Sequence, residues 1–194
     1  MGMRESPPSA TPAKQPEFLT ANCCQVRSHI PSSVTASGNV ASMSLYLEDF
    51  HVGLRLSGGT HTLDTAQIKA FAGQFDPQPF HLDEDAAERS IFTGLCASGW
   101  HTAAITMKLL TTVKPPIMGG IIGAGAELDW PTATRPGDVL RVECEVMEVR
   151  PLRSRPDRGM VILRVRTLNQ ANEERQDLRA KLVVFRRDSS FGQR

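Results

Sequence analysis

The sequence predicts an α+β fold in which a curved antiparallel sheet wraps around one long helix. Three observations support this prediction. Helical patterns occupy residues 64–112, alternating strands follow from residue 119 onward, and the apolar stretch LCASGWHTAAITMKLLTT carries a single charge, Lys108. Helices followed by several strands indicate a segregated α+β arrangement. Because a helix that is apolar on nearly every side must be covered, the sheet is expected to enclose it.

The first half of the predicted domain alternates short elements with turn signals. The segment HVGLRLSGGTHTL, residues 51–63, is predicted to be extended, with a turn at its Gly-Gly pair. Asp64 is the N-cap candidate of a helix that runs to Ala72, since a glutamine stands three residues later in the capping-box position. A loop is expected over residues 73–82. Asp83 is then expected to cap the short helix EDAAERS, ahead of the long apolar helix.

The second half is predicted to consist of strands separated by turns. The segments VLRVECEVMEV, MVILRVRTL and RAKLVVF alternate apolar and polar residues with a period of two. TRPGD and RSRPDRG supply turn chemistry before two of these strands. The strand segment GGIIGAGAELDW contains four glycines, at 119, 120, 123 and 125, and glycine weakens a strand unless another element lies close upon it. We therefore expect a neighbouring element to pack closely on this strand.

The domain is expected to span residues 44–187 of the 194-residue chain. Residues 1–43 are rich in Ser, Pro, Thr and Ala and are predicted to form a disordered N-terminal tail, and residues 188–194 a flexible C-terminus. The tail has no continuous apolar region of the kind a secretory signal needs, and its few basic residues give only weak support to a mitochondrial presequence. Met43 is an alternative start of the natural chain.

The composition bounds the classes of function. With 40% hydrophobic and 22% charged residues, the chain is typical of a globular protein. A net charge of +1 gives no reason to expect nucleic acid or an anionic membrane as a partner. No apolar run approaches the ~20 residues of a membrane-spanning helix. The four cysteines match neither a disulfide scaffold nor a metal site, so reduced thiols, a cytoplasmic location and no metal are expected.

The heptapeptide FDPQPFH, residues 75–81, contains the candidate catalytic pair. It places Asp76 and His81 five positions apart with two prolines between them. Proline fixes its own φ and biases the preceding residue towards an extended conformation, so the segment should be stiff. A carboxylate and a histidine held in this way can share two proton transfers. The alternative is that Asp76 caps a turn and that His81 is an ordinary polar residue.

The order of the motifs adds a family resemblance. FAGQFDPQPFHLDEDAAERSIFTGLCASGWHTAAITMKLL, followed by LDWPTATRPGDVLRVECEV, resembles the MaoC-like acyl dehydratases, the (R)-specific enoyl-CoA hydratases. The resemblance runs from about Leu45 to Arg187. It rests on the Asp-x-Asn-Pro-x-His segment, on the glycine at the start of the long helix, and on the Pro-Gly-Asp turn, which this chain supplies at residues 136–138. Such a resemblance implies the hotdog fold, usually as a dimer or a double hotdog, and we expect a homodimer.

The resemblance also implies roles for individual residues. Asp76 and His81 would hold the catalytic water and exchange protons with it, while the Gly99 N–H would face the thioester oxygen as the oxyanion hole. Gln78 and Ser98 would support this site, in place of the asparagine and the histidine of the family pattern. The implied substrate is an acyl-CoA thioester, with an acyl carrier protein thioester as the less favoured choice. No cofactor is implied beyond the CoA thioester itself.

Two other functions stay open from the sequence. A hotdog acyl-CoA thioesterase would direct water at the carbonyl carbon, but many such enzymes carry their carboxylate on the long helix, and residues 97–112 contain none. A non-catalytic acyl-binding subunit is the other alternative, and the substitutions at Gln78 and Ser98 keep it open.

Four further features have a functional and a structural interpretation. His101 could be a second acid–base group, Cys96 a nucleophile and Trp100 a stacking platform, and the arginines 150, 153, 155 and 158 could meet the phosphates of CoA. We favour a structural role for His101, packing for Cys96, a packing or pocket-wall role for Trp100 and a solvated loop for the arginines.

Overall fold

The computed structural model describes residues 44–189, and the predicted tail at residues 1–43 lies outside the described residues. After a short 3₁₀ turn at Leu47–Asp49, the elements follow in one order along the chain. They are β1 (Arg55–Thr62), α1 (Thr65–Phe75), α2 (Pro79–Leu82), α3 (Glu84–Glu88), α4 (Gly99–Leu110), β2 (Ile122–Asp129), β3 (Val139–Pro151), β4 (Arg158–Leu168) and β5 (Glu174–Phe185).

The five strands form one antiparallel sheet in the order β1-β3-β4-β5-β2. The predicted alternation is confirmed along β4 and in β3 as far as Val146, since every second residue there is buried on the face towards the helix. The core joins that face to the inner side of α4, and it includes Val142, Val165, Leu182, Ile105 and Leu109. The architecture is therefore α+β and of the hotdog type, as the sequence predicts.

The Gly58-Gly59 pair is not a turn, and that prediction is wrong. Both glycines lie inside β1, where the register against β3 shifts between Ser57 and Thr60. A Cβ at position 58 would meet the Leu109 carbonyl oxygen of α4 at 2.6 Å. The glycine is required because the strand crosses the helix too closely for any side chain.

The helices begin and end differently from the prediction. Asp64 caps α1 as expected, accepting a hydrogen bond from Gln67 N at 2.8 Å, but the helix continues past Ala72 to Phe75. Residues 79–82, predicted as loop, form the single turn α2. Proline at N1 is compatible with a helix start because the missing N–H has no intrahelical partner there.

The long helix α4 begins four residues later than the apolar run does. Leu95 to Ser98 are buried but belong to no helix or strand, and Ser98 is the N-cap. The helix is also not covered on every side, because Trp100 and Met107 are exposed on its outer face. None of the helices in the described part of the chain is long and apolar enough to cross a bilayer.

The strand β2 contradicts the expectation of a close neighbour. Its glycines at 123 and 125 lie in a strand that is exposed along nearly its whole length. Within residues 44–189, nothing comes within 4 Å of a Cβ built at Gly123, and only the Lys181 side chain, at 3.7 Å, does so at Gly125. β2 therefore forms an open edge of the sheet, paired on one side with β5.

Candidate active site

The catalytic pair predicted from the sequence is brought together at the junction of α1 and α2. Asp76 is the C-cap residue of α1, and His81 is buried in α2, with only 5% of its surface exposed. The Nε2 of His81 lies 3.4 Å from Oδ2 of Asp76. This distance is long for a direct hydrogen bond, so the two groups are placed to share a third partner.

The hydrogen bond on the other side of the ring defines the tautomer of His81. Nδ1 lies 2.7 Å from the carbonyl oxygen of Cys96. A carbonyl oxygen can only accept, so Nδ1 carries the hydrogen and donates it. In the neutral ring, the lone pair is then on Nε2, on the side that faces Asp76. Nε2 is therefore the ring atom that exchanges a proton beside Asp76: it accepts a proton through its lone pair, and once protonated it can donate to the carboxylate.

The Asp76 carboxylate is held in its charged form by donors. The Ser98 hydroxyl lowers the pKa of Asp76 most, and the Gln78 side chain and the His81 ring lower it further, against desolvation by burial, which raises it. The Gln78 Nε2 donates to Asp76 Oδ1 at 2.8 Å. Gln78 therefore contacts the acid directly, Ser98 favours its charged form, and Asp76 is an ionised carboxylate at neutral pH.

Gly99 begins α4 beside this pair. Its N–H has no acceptor within residues 44–189, and it stands at the positive end of the helix. The preceding Ser98 caps the helix, accepting from Trp100 N at 3.2 Å, and its hydroxyl is also the largest cause of the lowered pKa of Asp76. One residue thus ties the position of the acid to the position of the helix N-terminus.

A pocket of about 350 Å³ joins these groups. It is lined by all five residues predicted from the sequence, namely Asp76, Gln78, His81, Ser98 and Gly99. Four aromatic side chains form part of the remaining wall, namely Phe80, Phe92, Trp100 and Trp130. Phe80 packs edge-on against His81, with ring centroids 4.6 Å apart. The result is an apolar cleft with a few convergent polar groups, as is typical of small-molecule sites.

The far wall of the pocket comes from a segment in which the sequence suggested only a turn. Thr132 and Thr134 line the pocket, and Thr134 O accepts a hydrogen bond from Ala97 N at 2.9 Å. Arg135 donates to the backbone carbonyls of Phe92, Gly94 and Leu95, and so it fixes the loop that carries Phe92. The segment before β3, which contains Thr134 and Arg135, therefore supports the wall of the site.

A buried ion pair between Arg175 and Asp138 holds this segment in place. Arg175 of β5 donates to both carboxylate oxygens of Asp138, at 2.8 and 3.1 Å, and also to Thr132 at 3.0 Å. The hydrogen bonds of Arg175, Arg135 N and Asn169 lower the pKa of Asp138 against the desolvation that burial imposes. Sequence reasoning missed Arg175 because it lies 99 positions from Asp76; the one available signal was an acid inside the Pro-Gly-Asp turn.

The other candidates are placed outside the proton-transfer pair. His101 is buried in α4, stacked on Phe71 with centroids 4.5 Å apart, and it does not line the pocket. Burial raises the pKa of the Cys96 thiol, which disfavours the nucleophilic thiolate. Arg150 and Arg158 pair with the neighbouring acids Glu148 and Asp157. In the part of the chain that the structure describes, no group of three or more His, Cys, Asp or Glu could hold a metal.

Fold and site together define a hotdog domain with an acid–imidazole pair at the start of its long helix. A family model described as the MaoC like domain matches residues 54–165, which is more than half of the chain. The protein therefore belongs to the MaoC-like dehydratase family.

Three individual matches illustrate this membership. The chain is 59% identical to a MaoC-like dehydratase of known crystal structure from Rhodospirillum rubrum, with a TM-score of 0.73, covering 74% of this chain and 99% of that one. It is 33% identical over 127 residues to the uncharacterized protein YdeM of Bacillus subtilis, covering 64% of this chain and 87% of the relative. It is also 33% identical over 113 residues to the 3-hydroxybutyryl-CoA dehydratase of Methylorubrum extorquens, covering 57% of this chain and 69% of that protein.

Proposed function

We propose that the protein catalyses the reversible hydration of trans-2-enoyl-CoA to (R)-3-hydroxyacyl-CoA. The observation that carries the proposal is the geometry of one cleft, in which the Asp76 carboxylate faces the Nε2 of His81 at 3.4 Å and Gly99 lies at the N-terminus of α4. The similarity to a 3-hydroxybutyryl-CoA dehydratase supports the same class of reaction.

The proposed chemistry needs one water and no redox step. Asp76 and the Nε2 of His81 both accept hydrogen bonds from the water, and one of them takes a proton as its oxygen attacks C3 of the enoyl group. The π electrons of the C2=C3 double bond form a C1=C2 bond, and those of the thioester carbonyl move onto its oxygen, where the Gly99 N–H and the α4 N-terminus stabilise the negative charge. The proton is then delivered to C2, so that the elements of water are added and both side chains return to their starting state.

A thioesterase reaction is the alternative against which this proposal can be tested. Asp76 is the acid that lines the pocket in the described residues, and α4 carries no carboxylate. A thioesterase would release free thiol, whereas a hydratase removes the enoyl absorbance without thiol release. Crotonyl-CoA assayed by both signals separates the two reactions, and neither signal across short, medium, long and branched chains would favour a non-catalytic subunit.

Substitution of the pair is the first prediction. We expect Asp76→Asn and His81→Ala each to lower kcat for hydration by ~10²-fold or more, because each removes one proton acceptor from the water. The double variant should lose much less than the product of the two effects, since both groups act on one molecule. The measurement is initial rates of hydration, with melting temperatures to detect misfolding of the buried His81 variant.

The control for this prediction is the other buried histidine. His101→Gln should keep most of the hydration activity, because His101 does not line the pocket. If His101→Gln abolishes hydration and His81→Ala leaves it near the wild-type rate, the assignment of the pair is wrong.

We also propose that the protein is a homodimer. The exposed face of α4, with Trp100 and Met107, and the open edge at Ile122 of β2 present apolar surface and unpaired backbone groups. An apolar cavity of about 460 Å³ lies between α4 and β2 and is lined by Met107, Ile121 and Leu178 among others. A second copy packed on this face would cover the helix and pair the edge.

A further inference from the structure

Gln176 of β5 is a buried amide whose hydrogen-bonding groups are only partly satisfied. Its side chain is completely inaccessible to solvent, and its Oε1 accepts one hydrogen bond, from the indole Nε1 of Trp130 at 2.9 Å. The indole N–H is a donor only, so the amide must present its oxygen to Trp130. The amide Nε2 is then left without an acceptor within residues 44–189.

An amide buried in this way is costly for the fold. A donor that has lost water without gaining a partner destabilises the folded state, and an apolar side chain of the same length avoids that cost. Gln176 therefore makes one useful contact at the expense of stability, and that contact is with Trp130.

Trp130 in turn lies directly over the start of α4. A Cβ built on Gly99 would meet the Trp130 ring at 2.7 Å, so the indole touches the glycine backbone. Trp130 also meets Trp100 edge-on, with centroids 5.4 Å apart, and it lines the pocket with 41% of its surface exposed. Any group that binds to the Gly99 N–H must lie beside this ring.

We propose that Gln176 is a positioning residue that fixes Trp130 as a wall over Gly99, and that Trp130 determines which acyl thioesters fit there. The inference rests on the proposed function, because the thioester is the group assigned to the Gly99 N–H. The flat indole suits the planar, conjugated enoyl thioester. A substituent on C2, the carbon next to the carbonyl, would compete with the ring for space.

The first arm of the test reads the position of Trp130 directly. The chain contains two tryptophans, so in a Trp100→Phe background the emission reports on Trp130 alone. Gln176→Met keeps the side-chain length but removes the acceptor. We expect it to shift the Trp130 emission to longer wavelength and to increase quenching by acrylamide, with an equal or higher melting temperature.

The second arm reads catalysis. We expect Gln176→Met to lower kcat/KM for crotonyl-CoA about 10-fold, and Trp130→Phe to lower it by a similar factor. Adding Gln176→Met to Trp130→Phe should lower kcat/KM no further than Trp130→Phe alone, because both ends of the same hydrogen bond are then gone. The double variant should also have a higher melting temperature than Trp130→Phe. Trp130→Ala should raise the ratio of kcat/KM for 2-methylcrotonyl-CoA to that for crotonyl-CoA at least 10-fold.

Thr167→Val supplies the matched control. Thr167 pairs with Gln176 across the β4–β5 ladder and is equally buried, but its hydroxyl lies 2.6 Å from that of Thr106 rather than near Trp130. Thr167→Val should lower the melting temperature while leaving kcat/KM and the Trp130 emission unchanged.

The outcomes separate this inference from the proposed function. If Gln176→Met lowers the melting temperature and leaves both emission and kcat/KM unchanged, Gln176 is only structural and the inference is overturned. If the wild-type protein hydrates no enoyl-CoA, the proposed function fails. In that case, the Trp130 emission is measured while butyryl-CoA, which lacks the double bond, is added. A change in emission means that Trp130 borders a thioester site, and an unchanged emission overturns the proposed role of Trp130.

Discussion

Two buried histidines show how surroundings decide what a residue can do. His81 has a carbonyl acceptor on Nδ1 and a carboxylate facing Nε2. His101 is buried against Phe71, and its Nδ1 has no hydrogen-bond partner within residues 44–189. Burial, with a smaller contribution from the nearby His61, lowers the pKa of His101 to about 4. The first ring is oriented for proton transfer, while the second is kept neutral.

The lowered pKa of His101 predicts a loss of stability in acid. In the unfolded chain His101 binds a proton below its ordinary pKa of 6.5, whereas in the folded chain it does so only near 4. The free energy of unfolding is therefore unaffected by His101 above pH 6.5. It falls as the pH drops from 6.5 towards 4, because only the unfolded chain then binds a proton at His101. Between pH 7 and pH 5 the loss should be about 2 kcal/mol.

The measurement is urea unfolding of the wild type and of His101→Phe at pH 7 and pH 5. The variant keeps an aromatic ring against Phe71 but cannot be protonated, so its free energy of unfolding should fall less than that of the wild type. Equal losses in the two proteins would show that His101 does not carry the effect.

At the residue scale, the sequence predicted which local residues the structure brings together in the candidate site. Asp76, Gln78 and His81 lie within six positions, and Ser98 and Gly99 stand in a recognisable motif. The opposite wall consists of residues that reach the pocket only when β5 pairs with β2 and β4, so neither Trp130 nor Arg175 had a local signal.

At the scale of elements, the start of α4 organises the site. The apolar run begins at Leu95, but α4 begins at Gly99 after the N-cap Ser98, where the family resemblance places the helix start, and residues 95–98 belong to no helix or strand. Their backbone is then free for other partners, since Cys96 O accepts from His81 and Ala97 N donates to Thr134. Hydrophobicity alone could not predict this, because both this segment and the helix are buried.

Removing the Ser98 hydroxyl should change both the helix and the acid. Ser98→Ala should cost about 1 kcal/mol of stability through the lost cap. It should also raise the pKa of Asp76, because the hydroxyl is the largest cause of its lowering. If the Asp76 carboxylate is the active form, the acidic limb of the rate profile should move to higher pH.

The check is kcat/KM for crotonyl-CoA as a function of pH. Ser98→Thr keeps a hydroxyl that can cap and donate, and it should leave the acidic limb near the wild-type position. An acidic limb that does not move in Ser98→Ala would mean that another group controls it.

At the scale of the whole molecule, the sheet was the easiest part to predict. Period-two alternation in β3, β4 and β5 requires one buried and one exposed face, and that pattern is local. The open β2 edge and the exposed α4 face were not predictable as such, because glycines and apolar residues in the sequence do not say whether their partner belongs to the same chain.

The proposed homodimer predicts a measurable mass. Light scattering at micromolar concentration should give about twice the 21.2 kDa of the chain. Ile122→Lys should dissociate the dimer by placing a charge on the exposed β2 edge, whereas Met147→Lys should not. Met147 is similarly exposed but lies in β3, which is paired on both sides within the sheet. A monomeric wild type would contradict the proposal.

The contact between Trp130 and Gly99 also constrains the order in which this site can change over evolutionary time. A side chain at position 99 would overlap the indole at 2.7 Å, so it is accessible only after position 130 has become smaller. Replacement of Trp130 by a smaller residue can come first, because it creates no overlap with Gly99. Lineages that diverge at this site should therefore have passed through a small residue at 130 before they lost the glycine.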